Sequence, residues 1–296
     1  MGQTLRRLQE LDRLGYCGPT DFTDTEDPTN TPRRRKKNKT NDVITRFPNI
    51  ENLPPELSLN ILSHLNATDL CLAACVWENL ANDEILWLGL CRDSWGYTSA
   101  YRKKPSGLTY KRLYLLLDEA SLTFNFDPFE GARYLFEHGL LNDNPMEIAR
   151  FLHHTKRIRP ARKREYLDQR RDALSKMVQL QNFENQFLPN ALRNFFGEVS
   201  APEQRGDYLE DIIEKFSERF CSCNPQLGLS KDAVFVLCFS LIMLSVDLAS
   251  PHVKNKMSKR EFIRNTRRAT EGVSDDLAGH LYDNIYLIGH VAVEDR

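Results

Sequence analysis

Apolar positions along the first ordered stretch recur at helical spacing. Leu57, Ile61, Leu62 and Leu65 mark one stripe, and Pro54-Pro55 stands where a helix's first turn tolerates proline. Asn66-Ala67-Thr68-Asp69 then offers a break and a new N-cap, followed by Leu70, Ala73, Val76, Trp77 and Leu80. Ile85, Leu86, Trp87 and Leu90 mark a third helix. Three short helices in so few residues make a small core, which is marginal alone and usually docks onto something. From about Lys111 onward nearly every segment reads as helix, with little alternating strand pattern. The expected helices are Pro145 to His153, Ala161 to Phe183, Pro189 to Phe196, Asp207 to Phe220, Asp232 to Leu248, Lys259 to Ala269 and Asp275 to Leu287.

The pattern divides the chain into an arm over 1–46, a three-helix unit over 47–97, a linker over 98–110, a helical domain over 111–290 and a tail over 291–296. The arm has few large apolar residues and reads as disordered. It holds a basic run, Arg33-Arg34-Arg35-Lys36-Lys37-Asn38-Lys39, which is a candidate nuclear import signal or anionic-membrane contact and otherwise a solvated tail. The linker reading rests on Lys103, Lys104, Pro105 and Gly107.

Composition narrows the function classes. Forty basic residues stand against 41 acidic ones, so the chain as a whole has no field to recruit nucleic acid. The seven cysteines are an odd number and no secretory signal is evident, which implies reduced thiols and a cytoplasmic setting, with peripheral membrane contact through the basic segments as a further expectation. Cys221-x-Cys223 lacks a second close Cys or His pair, so no metal and no cofactor is expected. The apolar run Ala233 to Leu244 falls short of the ~20 residues a bilayer needs.

Leu53-Pro54-Pro55-Glu56-Leu57, Ile61-Leu62-x-x-Leu65, Asp69-Leu70 through Val76-Trp77, and Glu84 to Trp87 together resemble the F-box family. That resemblance implies binding to the Skp adaptor of cullin-RING ubiquitin ligases through Leu53, Pro54, Leu57, Ile61, Leu62, Leu65, Leu70, Val76, Trp77, Leu86 and Trp87. The residues agree in one respect: such a small unit exposes more apolar surface than it can hide.

The helical domain resembles the Sec7 family of Arf exchange factors. The resemblance rests on Phe124-Asn125-Phe126-Asp127-Pro128 with Gly131, on Glu147 to Leu152, on Tyr166-Leu167-Asp168, on Ala191 to Phe196, and on Arg219-Phe220-Cys221-Ser222-Cys223-Asn224-Pro225. It implies an all-α fold: a small three-helix F-box plus a larger all-helical Sec7-like domain. It also implies a groove for an Arf-family small GTPase, lined by Phe235, Phe239, Ile242 and Met243 on one helix face, with Ser250 and Pro251 in the loop beyond. Val236, Leu237 and Leu244 are expected on the opposite, core-facing side. The basic stretch from Lys254 to Arg268 reads either as a contact for acidic patches and headgroups or as a solvated helix face.

The family's chemistry rests on a glutamate finger that displaces magnesium and repels the nucleotide's β-phosphate. Here the corresponding stretch is Val199-Ser200-Ala201-Pro202-Glu203-Gln204-Arg205-Gly206-Asp207. Counting back from Arg219-Phe220-Cys221 puts Arg205 at the finger position. Aligning on Pro202 puts Gln204 there, with Glu203 just before it. An arginine attracts phosphate rather than expelling it, and Ser250 stands where the family has an asparagine. The expectation is therefore an adaptor whose groove is kept and whose finger is lost. Active guanine-nucleotide exchange, with Glu203 as the carboxylate, is the alternative.

Overall fold

The computed structural model describes residues 50–202 and 206–292. The chain divides after Phe47 into two units. The expected arm over 1–46, with its basic run, lies outside the described residues, as do Glu203, Gln204 and Arg205.

The described residues are all-helical. A short 3-10 turn, Ile50–Asn52, leads into α1 (Pro55–Leu62), α2 (Ala67–Ala73), α3 (Glu78–Ala81) and α4 (Glu84–Trp95). The second expected helix is thus two: Val76 and Trp77 lie in the bend between α2 and α3, with Trp77 at φ −123° and ψ 64°. The cap expected at Asn66 forms, and Asp83 supplies a second. Asn66 Oδ1 accepts from Asp69 N at 2.9 Å, and Asp83 Oδ1 accepts from Ile85 N at 2.8 Å.

The stretch expected as a linker is instead part of the packed body. It carries α5 (Ser99–Arg102), and Thr98 and Ala100 are buried. Thr98 Oγ1 donates to Trp95 O at 2.7 Å and accepts from Tyr101 N at 3.2 Å, tying α5 to the end of α4. Turn-forming residues predict a change of direction, and they do not predict whether the turn is covered.

The larger domain follows as α6 (Tyr110–Phe126), α7 (Pro128–Glu137), α8 (Pro145–His154), α9 (Pro160–Gln169), α10 (Arg171–Leu180), α11 (Leu188–Glu198), α12 (Asp207–Cys223), α13 (Lys231–Ala249), α14 (Lys259–Ala269) and α15 (Asp275–Ile288). Several motif residues turn out to be structural. Asp127 Oδ1 caps α7 by accepting from Phe129 N at 2.8 Å and Glu130 N at 3.1 Å, with Pro128 at N1. A Cβ on Gly131 would meet the Phe124 backbone at 2.4 Å, so only glycine lets α7 lie this close to α6. Asn224 Nδ2 donates to Phe183 O and Phe220 O at 2.9 and 3.0 Å, closing the end of α12.

The single helix expected over Ala161 to Phe183 breaks at Arg170, whose φ of −103° and ψ of 68° leave the helical region. Arg170 holds Asp172 through two donors at 3.0 and 2.9 Å, and reaches Asp143 at 2.8 Å. The described start of the tail is held as well: Val291 is buried, and just before it Arg193 donates to Gly289 O and His290 O at 2.8 and 3.2 Å.

α13 is long and apolar enough to cross a membrane, by length and composition. Here Val234, Leu237, Cys238, Leu241 and Leu244 are buried against the surrounding helices.

Candidate functional site

Two open apolar surfaces stand out. One lies on the larger domain, where α13, α14 and the start of α12 enclose a groove of about 500 Å3. α13 contributes Phe235, Val236, Phe239, Ser240 and Met243. The Phe235 and Phe239 rings pack 5.0 Å apart, and Met243 is 60 % exposed. A thioether beside two aromatic rings makes an adaptable docking surface.

The opposite wall is α14, started by a full capping box. Ser258 Oγ accepts from Glu261 N at 3.3 Å, while Glu261 Oε2 accepts from Ser258 N at 3.0 Å. Phe262, Asn265, Thr266 and Ala269 face the groove from this helix. The connection between the two walls is pinned. Met257 N donates to Asp247 Oδ2 at 2.7 Å, Tyr282 OH donates to Met257 O at 2.9 Å, and Lys256 Nζ donates to Asp247 O at 2.7 Å and to Ser250 O. Thr266 is buried, and its hydroxyl has no hydrogen-bond partner among the described residues.

Of the residues expected on one face, Phe235, Phe239 and Met243 line this groove. Three expectations change. Val236 lines the groove rather than facing the core. Ile242 is half-buried and packs against the core. Ser250 and Pro251 lie past the end of α13, where Ser250 Oγ accepts from His252 N at 3.3 Å, and neither lines the groove. Glu210, Met257 and Asn265 were missed because they come from other elements, and helix periodicity sees one element at a time.

The finger stretch runs between α11 and α12. Its near side is fixed: Val199 and Ser200 are buried, and Arg164 Nη1 donates to Ala201 O at 2.9 Å. Below it, Gln181 Nε2 donates to Glu198 Oε2 at 2.6 Å, and His153 Nδ1 lies 3.2 Å from the same oxygen. Burial alone would raise the Glu198 carboxyl, but these hydrogen bonds and the charges of His153 and Lys163 outweigh it and hold the group below the usual carboxylate range. The stretch re-enters at Gly206, the N-cap of α12, whose first turn carries Asp207 and Glu210. Glu210 is the one carboxylate lining the groove among the described residues.

The second surface lies on the small unit. Leu57, Ile61, Leu72, Val76 and Ile85 are exposed, Val76 at 70 % and Ile85 at 66 %. Beside them a cleft of about 470 Å3 opens between α1 and α4, floored by Leu62, Leu70 and Leu86. Of the residues expected to meet a partner, Leu57, Ile61 and Val76 are open, Pro54 is exposed, and Leu53, Leu65 and Trp77 are half-buried. Trp87 is corrected, being buried in this chain's own core away from the cleft, while Leu62, Leu70 and Leu86 are buried but floor the cleft. Trp87 is fully buried, donates Nε1 to Ala81 O at 2.9 Å and meets the Tyr114 ring edge-on at 5.7 Å. Leu72 and Ile85, which are not among the residues expected to meet a partner, are exposed like Leu57, Ile61 and Val76.

The cysteines of the described residues are unpaired thiols. Burial pushes the Cys91 thiol up to about 12, so it is unreactive.

Comparison with known proteins agrees with this anatomy. The model of the Sec7 domain matches residues 114–287, and the F-box-like model matches residues 50–93. Human F-box only protein 8 is 63 % identical over 251 residues, covering 83 % of this chain and 79 % of that one. The crystal structure of the Sec7p catalytic domain is 32 % identical with a TM-score of 0.52, covering 57 % of this chain and 95 % of the other. A Sec7 domain bound to ARF1-GDP and brefeldin A has a TM-score of 0.54 at 24 % identity, covering 58 % and 91 %, which is a likeness of fold.

Proposed function

The chain belongs to the F-box only protein 8 family, an F-box followed by a Sec7 domain, and on that premise we propose that it is a non-catalytic adaptor of a cullin-RING ubiquitin ligase. Its F-box engages the Skp adaptor through the open face of Leu57, Ile61, Leu72, Val76 and Ile85. Its Sec7 domain holds an Arf-family GTPase in the groove between α13 and α14.

The observation that carries this reading is a groove kept beside a finger changed. Phe235, Phe239 and Met243 still line an open apolar groove of about 500 Å3. The sequence of the finger stretch, Pro202-Glu203-Gln204-Arg205-Gly206, has no carboxylate at the finger position by either alignment. Binding energy without the repelling carboxylate gives capture rather than exchange, because only interactions that differ between the nucleotide-bound and open states speed nucleotide loss.

One observation favours exchange instead: Glu210 presents a carboxylate to the groove one turn after the finger stretch. The deciding experiment follows release of a fluorescent GDP from an Arf protein in the presence of the full chain and of its Arg205→Glu variant. No acceleration by the unaltered chain, with acceleration by the variant, supports the adaptor. Fast release by the unaltered chain makes it an exchange factor. If the Arf protein binds the chain in neither nucleotide state, the adaptor reading fails.

A further inference from the structure

A separate cleft of about 210 Å3 lies where α5 meets the start of α8, and it shares no residue with either surface described above. Ser99, Arg102 and Lys103 line it from α5 and its end, in the stretch between the F-box-like unit and the larger domain. Asn142, Glu147 and Arg150 line it from the larger domain. Three cationic side chains against one carboxylate leave a net charge of two positive.

That carboxylate is already engaged. Glu147 accepts from Asn142 N at 3.2 Å, from Asn142 Nδ2 at 3.1 Å and from Ser99 Oγ at 3.0 Å. The cations are not. Among the described residues, the Arg102, Lys103 and Arg150 side chains make no hydrogen bond and no ion pair, and Lys103 feels Glu147 only as a nearby charge. Three cations from α5, its end and α8 line one small concavity, and no ion pair among the described residues rewards that arrangement. A dianion placed between them does.

Size and charge select the ligand. The cleft is smaller than the ~300–1,000 Å3 of drug-sized pockets and a little larger than the ~150 Å3 that holds one benzene. Its volume suits a phosphoryl group on a short stem. A phosphate monoester carries about −1.5 to −2 near neutral pH, matching the net charge of the cleft, whereas a carboxylate carries half that. The two guanidinium groups supply planar donor forks suited to phosphate oxygens.

We propose that this cleft binds the phosphate group of a phosphate monoester, clasped by Arg102 and Lys103 on one side and Arg150 on the other, so that occupancy ties α5 to α8. A small soluble monoester and a phosphorylated side chain share this chemistry.

The test is calorimetric titration of the full chain with glycerol 3-phosphate and, separately, with N-acetyl-phosphoserine amide, each against its unphosphorylated counterpart. Saturable binding of a monoester, absent for its alcohol, is expected. Tighter binding of glycerol 3-phosphate identifies a small metabolite as the source; tighter binding of the phosphoserine amide identifies a modified protein. Arg102→Ala and Arg150→Ala should each weaken binding about tenfold. Both positions are exposed, so the melting temperature should stay put. Glu147→Gln should tighten binding severalfold by removing the competing charge, a gain that misfolding cannot mimic. No saturable binding, equal binding of sulfate, or affinity undiminished in the Arg102→Ala/Arg150→Ala double variant would overturn the proposal.

Discussion

The F-box unit and the Sec7 groove both leave large apolar side chains open to solvent, but they are held up differently. The groove stands on its own domain: the back of α13 is buried while Phe235, Phe239 and Met243 face outward. The F-box has no such private support. Its α4 lies along α6, and its largest side chains are shared property. Trp87 meets Tyr114 edge-on, Trp95 stacks on Phe151 at 6.3 Å with the planes 10° apart, and Cys91 Sγ donates to Tyr110 O at 3.2 Å. Polar groups repeat the pairing, with Lys111 Nζ donating to Asn82 Oδ1 at 2.6 Å and Tyr110 N to Glu84 Oε2 at 3.1 Å. A unit of about fifty residues buries too little surface to stand alone, and here the deficit is met by the neighbouring domain.

That contrast breaks most sharply at Trp87. Trp87→Ala removes a fully buried indole, leaves Ala81 O without its donor and should cost about 3–5 kcal/mol. Because the core is continuous, calorimetry of the full chain should show one transition moved down as a whole. Two separate transitions, with only the smaller one moved, would mean that the F-box folds independently and that the shared core is not cooperative.

Why Trp87 was misassigned to the surface shows what the sequence can carry. Helical spacing placed Ile85, Leu86 and Trp87 on one element, and a helix apolar over a wide arc has no preferred outside until its neighbour is known. With α6 on one side, Leu86 and Trp87 turn in and Ile85 turns out. The same ambiguity exchanged Val236 and Ile242 on α13. The capping signal at Asn66 travelled better because it is local, and Asp127, Ser230 and Ser258 cap the helices that follow them by the same short-range chemistry. The break at Arg170 was illegible, since no glycine or proline marks it and its partner Asp143 lies 27 residues away. Gly131 was visible as part of a motif, but its reason, the backbone of Phe124 against it, needed the packed pair of helices.

On the open faces the ranking reverses: folding should be indifferent and binding should not. Met243→Asp puts a charge in the groove at an exposed position, so stability should move within about 0.5 kcal/mol. Affinity for an Arf-family GTPase, read by surface plasmon resonance, should fall at least about tenfold. Ile85→Asp should do the same for the Skp adaptor and leave GTPase binding untouched, because the two residues sit on opposite elements of the comparison. A loss of both partners from either single change would show that the two faces are coupled through the shared core rather than merely mounted on it.

The smallest effect concerns acid. Glu198 is held below its ordinary value of 4.5, so its contribution is present above that pH and is lost as the pH falls through the lower folded value. His154 shifts downward as well, chiefly through burial and then through the charge of His153. Its neutral form is the folded one, so the unfolded chain gains protons first as the pH drops below 6.5. Urea midpoints should therefore decline in two steps, below about 6.5 and again below about 4.5. Glu198→Gln should remove the second step and leave the first. Both groups belong to the larger domain, and Glu198 ends the helix that leads into the finger stretch at Ser200 and Ala201, so hydrogen exchange there should quicken on acidification before it does in α4. If α4 opened first, the F-box rather than the Sec7 domain would be the acid-sensitive half, and the dependence of one on the other would run opposite to the one drawn from the shared tryptophans.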